Sequence, residues 1–212
     1  RSYNLDQGTH LFFGIILKFF FNIFGYTPGI GRYLPLAFGI LSIPAISYLA
    51  FQLRKGQSYL YVAFLCSINF YLVSYSQELR SYSLIFLLSI LSIIFYYKIL
   101  DHQIISKKKI LFLVLYIFFT LLGTCLHIFF FIIVISQICF LFLKFFYEKK
   151  IILFNLFSIL SIFFLYFSLM HETLLMQLKI DDFWIKQIEL NFFINYYFSR
   201  FFGSKIMGII YL

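Results

Sequence analysis

Ser83-Leu84-Ile85-Phe86-Leu87-Leu88-Ser89-Ile90-Leu91-Ser92-Ile93-Ile94-Phe95-Tyr96-Tyr97-Lys98-Ile99-Leu100 carries one charge, Lys98, and that charge stands near its end. A helix needs roughly 17–25 mostly apolar residues to cross a bilayer. Inside hydrocarbon its backbone groups must be satisfied within the segment, so such a run reads as a spanning helix. Immediately before it lies a polar island, Tyr75-Ser76-Gln77-Glu78-Leu79-Arg80-Ser81-Tyr82, and before that a second apolar run, Ser58–Val73. A Glu and an Arg beside a bilayer are costly unless they serve binding or chemistry. The island therefore predicts a multi-span membrane enzyme with its site at one membrane face.

Composition supports the membrane reading. Of the 212 residues, 63% are hydrophobic, 24% aromatic and 12% charged, and mean hydropathy is +0.95. Soluble domains carry about 25% charged residues, so a water-soluble fold is excluded and residues 1–212 read as one membrane domain. A net charge of +9 would point a soluble protein toward nucleic acid. Here the basic residues sit in short loops between apolar runs, where they orient helices, so no nucleic-acid partner is expected. Cys66, Cys125 and Cys139 lie in or beside apolar stretches without metal-ligand spacing and read as packing residues. The sequence opens on Arg1 without a signal-peptide pattern and stops inside the apolar run Ile206–Leu212. It reads as a piece lacking an N-terminal span, the first part of the first external loop and a C-terminal part.

Six runs qualify or nearly qualify as spans: Tyr33–Leu53, Ser58–Val73, Ser83–Leu100, Ile110–Leu122 (short), His127–Phe146 and Ile151–Met170. The long stretch Ile110–Phe146 is divided at Gly123-Thr124-Cys125. Pro44 predicts a kink in the first span. Leu11–Phe24 differs, because His10, Gly14, Lys18 and Asn22 recur every fourth residue and draw one polar stripe along a Phe/Ile/Leu helix. That pattern predicts a juxtamembrane helix lying in the interface. The expected fold is thus all-α and polytopic, with an interfacial helix, six spans and the start of a seventh.

Charge then sets the topology. Loops around Arg54-Lys55, Lys98–Lys109 and Lys144–Lys150 hold nine basic and two acidic residues, +7 in all, whereas Gln77–Ser81, Gly123–Leu126 and His171–Lys205 each net zero. Positive-inside logic makes the first set cytoplasmic. With Leu11–Phe24 lying flat, Asp6, His10, Gln77, Glu78, Arg80, Tyr82 and His127 are all expected at the outer face. Read as a continuous helix, the island puts Glu78 and Tyr82 on one face, with Tyr75 behind them, and points Arg80 elsewhere, so no Glu78–Arg80 pair is expected. Arg80 offers several donors to an anionic oxygen, which suits a phosphate at the membrane surface; the plain alternative is an arginine touching lipid phosphate. Asp6 and His10 are candidate ligands of a divalent metal ion, the plain alternative for Asp6 being a solvated helix start. For His127 the plain alternative is a hydrogen bond to backbone.

These features, in this order, resemble a known group. Thr9-His10 before an aromatic-rich helix, then Phe24-Gly25-Tyr26 and Arg32, is similar to a stretch found in GT-C type membrane glycosyltransferases: the protein-mannosyltransferase, aminoarabinose-transferase and Rgt-like group, glycosyltransferase family 39-like. Tyr75-Ser76-Gln77-Glu78-Leu79-Arg80-Ser81-Tyr82 resembles that group's Tyr-Ser-Gln-Glu-Ala-Arg-x-Tyr. Thr124-Cys125-Leu126-His127 resembles its Tyr-Thr-His turn, and Phe183-Trp184-Ile185 a later external Phe-Trp. Leu11-Phe12 stands where the group has Pro-Pro. The resemblance implies a polyprenyl-phosphate sugar donor, a lipid, glycan or protein acceptor, and a site facing outward from a bacterial plasma membrane. It makes Gln77, Glu78, Arg80, Tyr82 and His127 substrate-binding residues and places the catalytic acidic base ahead of Arg1. Two rivals are a multi-span transporter and a non-catalytic membrane scaffold. A transporter predicts broken helices or ionisable groups near the midplane, neither of which the sequence displays.

Overall fold

The computed structural model describes residues 11–54, 56–101, 106–145 and 159–171, and every regular element among them is a helix. The all-α expectation holds. Helix α1 spans Leu11–Phe24, α2 Pro28–Leu53, α3 Ser58–Ile68, α4 Phe70–Gln77, α5 Tyr82–Leu100, α6 Ser106–Leu126 and α7 Phe131–Phe145. A 3-10 turn, Ile128–Phe130, precedes α7, and α8 covers Ile159–His171. Three helical stretches are long and apolar enough to cross a membrane: Gly29–Leu53, Tyr82–Leu100 and Lys108–Leu126. The pair α3 and α4, bent by 54° at Asn69, makes a fourth if it counts as one span. The chain thus has the helices of a multi-pass membrane protein.

Several expectations are corrected by local chemistry. Helix α2 starts five residues before Tyr33, because Thr27 caps it: its Oγ1 accepts from Ile30 N–H at 3.3 Å, with Pro28 in the first turn. The short fourth candidate becomes a full span, since α6 begins at Ser106 and carries Gly123 inside it. The break falls at His127 rather than Gly123. Gly123 is needed for another reason, as a Cβ there would collide with the buried ring of Phe130. The expected fifth and sixth spans are represented among the described residues by shorter apolar helices, Ile128–Leu141 and Ile159–His171. Residues 172–212, including Trp184, lie outside the described residues.

The helix expected at the interface forms with its expected bounds, Leu11–Phe24. Gly25, at φ 98°, ends it in the left-handed conformation, and its N–H donates back to Phe21 O at 2.9 Å. Phe13 is buried, whereas Ile15, Lys18, Phe19, Asn22 and Ile23 are exposed. At 100° per residue, Lys18 and Asn22 flank the exposed apolar strip Ile15–Phe19–Ile23. The exposed side of α1 thus carries a polar edge beside an apolar one.

The described residues form two compact units whose division falls within α1 and α5: residues 19–54 and 56–84 in one, and 11–18, 85–101, 106–145 and 159–171 in the other. In the second, a polar network crosses three helices. Gln137 of α7 accepts at Oε1 from Tyr116 O–H (2.7 Å), and its Nε2 donates to Ser92 Oγ (3.1 Å). Ser92 is 2.8 Å from Thr120 Oγ1, and Tyr96 O–H donates to the Gln137 carbonyl at 2.8 Å. All five residues are buried. Between apolar helices in lipid there is little hydrophobic drive to associate, so such bonds and close packing hold helices together. Phe95 stacks on Phe119 at 5.5 Å in the same layer. A smaller cluster, Cys125, Tyr166 and Met170, takes Phe12 of α1 and Phe131 of α7 against it.

Candidate functional site

The polar island belongs to the α2–α4 unit, and its shape follows from how α4 is held. Asn69 breaks the run Ser58–Val73, which the sequence presented as one helix: its backbone is extended (φ −66°, ψ 117°), and its Oδ1 accepts from Leu72 N–H at 3.1 Å. An asparagine side chain that replaces a backbone acceptor makes a helix start, here in the middle of an apolar run. Helix α4 then lies on α2. Gly39 permits this, because a Cβ on it would stand 2.7 Å from Ser76 Cβ. One helical turn beyond Pro35, Gly31 accepts the Leu79 side chain: a Cβ there would be 3.0 Å from Leu79 Cδ1 and 2.8 Å from Phe21 Cζ.

Between Ser76 and α5 the chain leaves the helix. Helix α4 ends at Gln77, Glu78 adopts an extended backbone, and its carbonyl accepts from Arg80 N–H at 2.8 Å in a three-residue turn. Ser81 is fully buried behind this turn. Ser83 Oγ donates to Tyr75 O at 3.0 Å, tying the end of α4 to the start of α5. Above that tie the Tyr82 ring meets the Tyr75 ring edge-on at 4.9 Å, and Tyr75 lies 4.3 Å from Tyr71.

Two expectations fall here. Glu78 and Tyr82 do not share a helical face, because residues 78–81 are not helical. Glu78 and Arg80 do pair, since the tight turn brings i and i+2 together: Arg80 Nε is 3.9 Å from Glu78 Oε2. The pair is loose, longer than a hydrogen bond, and its side chains are 62% (Arg80) and 41% (Glu78) exposed. Exposed pairs of this kind contribute about 0–1 kcal/mol, so an incoming anion displaces the contact at little cost. Neither Nη of Arg80 has a partner among the described residues. Gln77, the last residue of α4, is exposed, and Tyr82, the first of α5, is half-buried.

His127 lies in the other unit. Its Nδ1 accepts from Phe129 N–H at 3.2 Å, capping the 3-10 turn, and its ring packs 4.9 Å from Phe129. This is the backbone hydrogen bond of the plain alternative, and it fixes Nδ1 as the unprotonated nitrogen. Asp6 and His10 lie outside the described residues. Among the described residues no group of three or more His, Cys, Asp or Glu is placed to hold a metal.

Sequence reasoning missed the residues that shape the island. Gly31 and Gly39 sit eight residues apart with Pro35 between them, a spacing that sets small residues on one helix face and could have marked α2 as a docking surface. Asn69, a lone cap-forming residue within an apolar run, was the available sign of the break. Comparison with family models, with curated proteins and with solved structures gives no match.

Proposed function

We propose that this chain is part of a membrane glycosyltransferase that moves a sugar from a polyprenyl-phosphate donor to a lipid, glycan or protein acceptor at the outer membrane face. The observation that carries this reading is Arg80, whose guanidinium stands exposed on a turn between two apolar helices with both Nη groups unpartnered among the described residues. A donor with a polyprenyl tail is already dissolved in the bilayer, so its phosphate is delivered to such a turn without leaving the membrane. The acceptor hydroxyl attacks the anomeric carbon, the bond from that carbon to the phosphate oxygen breaks, and the electron pair departs with the phosphate. Arg80 stabilises that developing charge with two parallel N–H bonds. Glu78 and Gln77, beside it, orient sugar hydroxyls, and Tyr82 supports the turn through Tyr75. The proton passes to a base, for which the resemblance implies a carboxylate ahead of Arg1.

One observation favours the transporter reading. The sequence displayed no broken span, yet α3 and α4 meet at a 54° bend at Asn69, the mark of a broken span or a re-entrant loop, and discontinuous helices line substrate sites in many transporters. The two readings separate in one experiment. Full-length protein in proteoliposomes is given a polyprenyl-phosphate donor with a labelled hexose, alongside lipid, glycan and protein acceptors. Glycosyl transfer predicts label on an acceptor and free polyprenyl phosphate. Intact donor carried from one leaflet to the other would overturn that reading in favour of transport.

A further inference from the structure

At the other end of α5 from the Glu78–Arg80 turn stand lysines that sugar transfer does not use. Lys98 lies in the last turn of α5, and α6 opens with Ser106-Lys107-Lys108-Lys109. Asp101 is the one acidic residue between Lys98 and Lys109. Both helices are long and apolar enough to cross a membrane, so their charged ends stand at the level of the lipid headgroups. Both ends belong to the same compact unit.

An aromatic ring draws the lysines of the two helices together. Lys98 is half-buried, and its Nζ lies over the ring of Phe112 of α6, 5.0 Å from the centroid, and 5.9 Å from that of Phe95. A ring face attracts a cation, and the apolar stem of a lysine lies along a helix while its head reaches water. Phe112 comes four residues after Lys108 and three after Lys109, so the three share one side of α6. Helical side chains lean back toward the N-terminus. The ring that carries the Lys98 ammonium therefore also sits against the bases of Lys108 and Lys109. Lys108 is exposed, Lys109 is half-buried, and neither has an ion-pair partner among the described residues. The first turn of α6 holds no acidic residue; a helix begins with partial positive charge, so lysines there add to a field that an anion relieves.

We infer that Lys98, Lys108 and Lys109 seat the phosphate of an anionic phospholipid between the ends of α5 and α6. Charge selects the occupant. A zwitterionic headgroup brings its own ammonium into a corner already rich in cations, whereas a headgroup such as glycerol-phosphate brings the negative charge alone. Lys98 is held over the ring before the lipid arrives, so less of its freedom is lost on binding. The seat differs from the general bias of basic loops, because it depends on an aromatic ring as well as on charge. It stands apart from the sugar-phosphate reading of Arg80 and does not need it.

The test is lipid association with the full-length protein in phosphatidylcholine nanodiscs that carry a trace of spin-labelled phosphatidylglycerol or, separately, spin-labelled phosphatidylcholine. Helicity and elution volume confirm intact folding. The wild type should immobilise phosphatidylglycerol in preference to phosphatidylcholine. Lys108→Gln with Lys109→Gln should lower that preference about fivefold or more, since each lysine near a headgroup contributes about that factor. Phe112→Leu keeps every lysine and should lower it about two- to fivefold by releasing Lys98. Lys149→Gln with Lys150→Gln removes the same charge from another basic loop and should leave the preference near the wild-type value. Excess inorganic phosphate should not release the lipid; release would overturn the assignment to a phospholipid. No preference in the wild type, or a wild-type preference in Lys108→Gln with Lys109→Gln, would overturn the seat. Equal losses in the two double variants would show a diffuse field of basic loops and overturn it as well. A wild-type preference in Phe112→Leu would overturn the clamp across two helices.

Discussion

Replacing Gln137 with leucine tests whether the buried network, rather than apolar contact alone, holds α5, α6 and α7 together. Leucine is close to glutamine in volume, so the substitution removes two bonds without opening a large cavity: Tyr116 O–H to Oε1 (2.7 Å) and Nε2 to Ser92 (3.1 Å). The bond from Tyr96 goes to the Gln137 main chain and survives. Ser92 keeps Thr120 at 2.8 Å. What changes most is the Tyr116 hydroxyl, which loses Oε1 in a fully buried position and is left with Thr120 alone. Hydrogen bonds between membrane helices average about 0.6 kcal/mol and reach about 1.7. Two of them therefore put Gln137→Leu at about 1–3 kcal/mol less stable. Removing the hydroxyl as well should relieve part of that loss, since deleting both partners leaves no buried donor short of an acceptor. Unfolding of the full-length protein by SDS in mixed micelles measures both quantities. Gln137→Leu with Tyr116→Phe is expected to be no less stable than Gln137→Leu alone, with a coupling energy of about 0.5–1 kcal/mol or more. A single-variant loss below about 0.5 kcal/mol, together with strict additivity, would refute the clamp.

Three further outcomes follow from close approaches and caps. Gly39→Ala forces its new Cβ against Ser76 Cβ (2.7 Å) and should destabilise by about 1–3 kcal/mol; Ser76→Gly in the same chain should restore the micelle unfolding midpoint. Asn69→Ala deprives Leu72 N–H of its acceptor and should cost about 1 kcal/mol, with faster hydrogen exchange confined to the first turn of α4. Gly123→Ala collides with the Phe130 ring, and Phe130→Leu should recover most of the lost stability, read by the same unfolding assay.

How much of this was legible depended on whether one segment carried the signal by itself. Leu11–Phe24 was, because its polar stripe and the terminating Gly25 are both local. The third span was also read nearly to the residue, since nothing interrupts Ser83–Leu100. The Asn69 break was not, because hydrophobicity averages over a single asparagine whose effect lies in a side-chain bond to its own backbone. The island's surroundings were hidden for a different reason: the close approaches of Gly39 to Ser76 and of Gly31 to Leu79 join residues more than thirty apart in the sequence, and only the folded chain brings them together. At Gly123 the sequence pointed to the right neighbourhood for the wrong cause. A glycine read as a breaker sits within α6 and makes room for Phe130, while the break comes four residues later at His127. The Gln137 network was within reach, since Ser92 and Tyr96 on α5 and Tyr116 and Thr120 on α6 are both i, i+4 pairs facing one glutamine.

The central claim is that the Glu78–Arg80 turn handles a sugar phosphate, and it is tested most directly by turnover of a polyprenyl-phosphate hexose by full-length protein carrying Arg80→Lys, Arg80→Ala or Glu78→Gln. These residues are exposed on a turn outside the helices, so each variant should insert and fold as the wild type does. Losing a donor that stabilises developing charge costs about 100- to 1,000-fold in rate. Arg80→Ala should fall by that much, Arg80→Lys should be clearly impaired because the two-pronged fork is lost while the charge remains, and Glu78→Gln should be impaired at unchanged shape. Wild-type turnover by correctly inserted Arg80→Ala and Glu78→Gln would contradict the account, leaving the turn as a helix connection and the arginine as a contact to lipid.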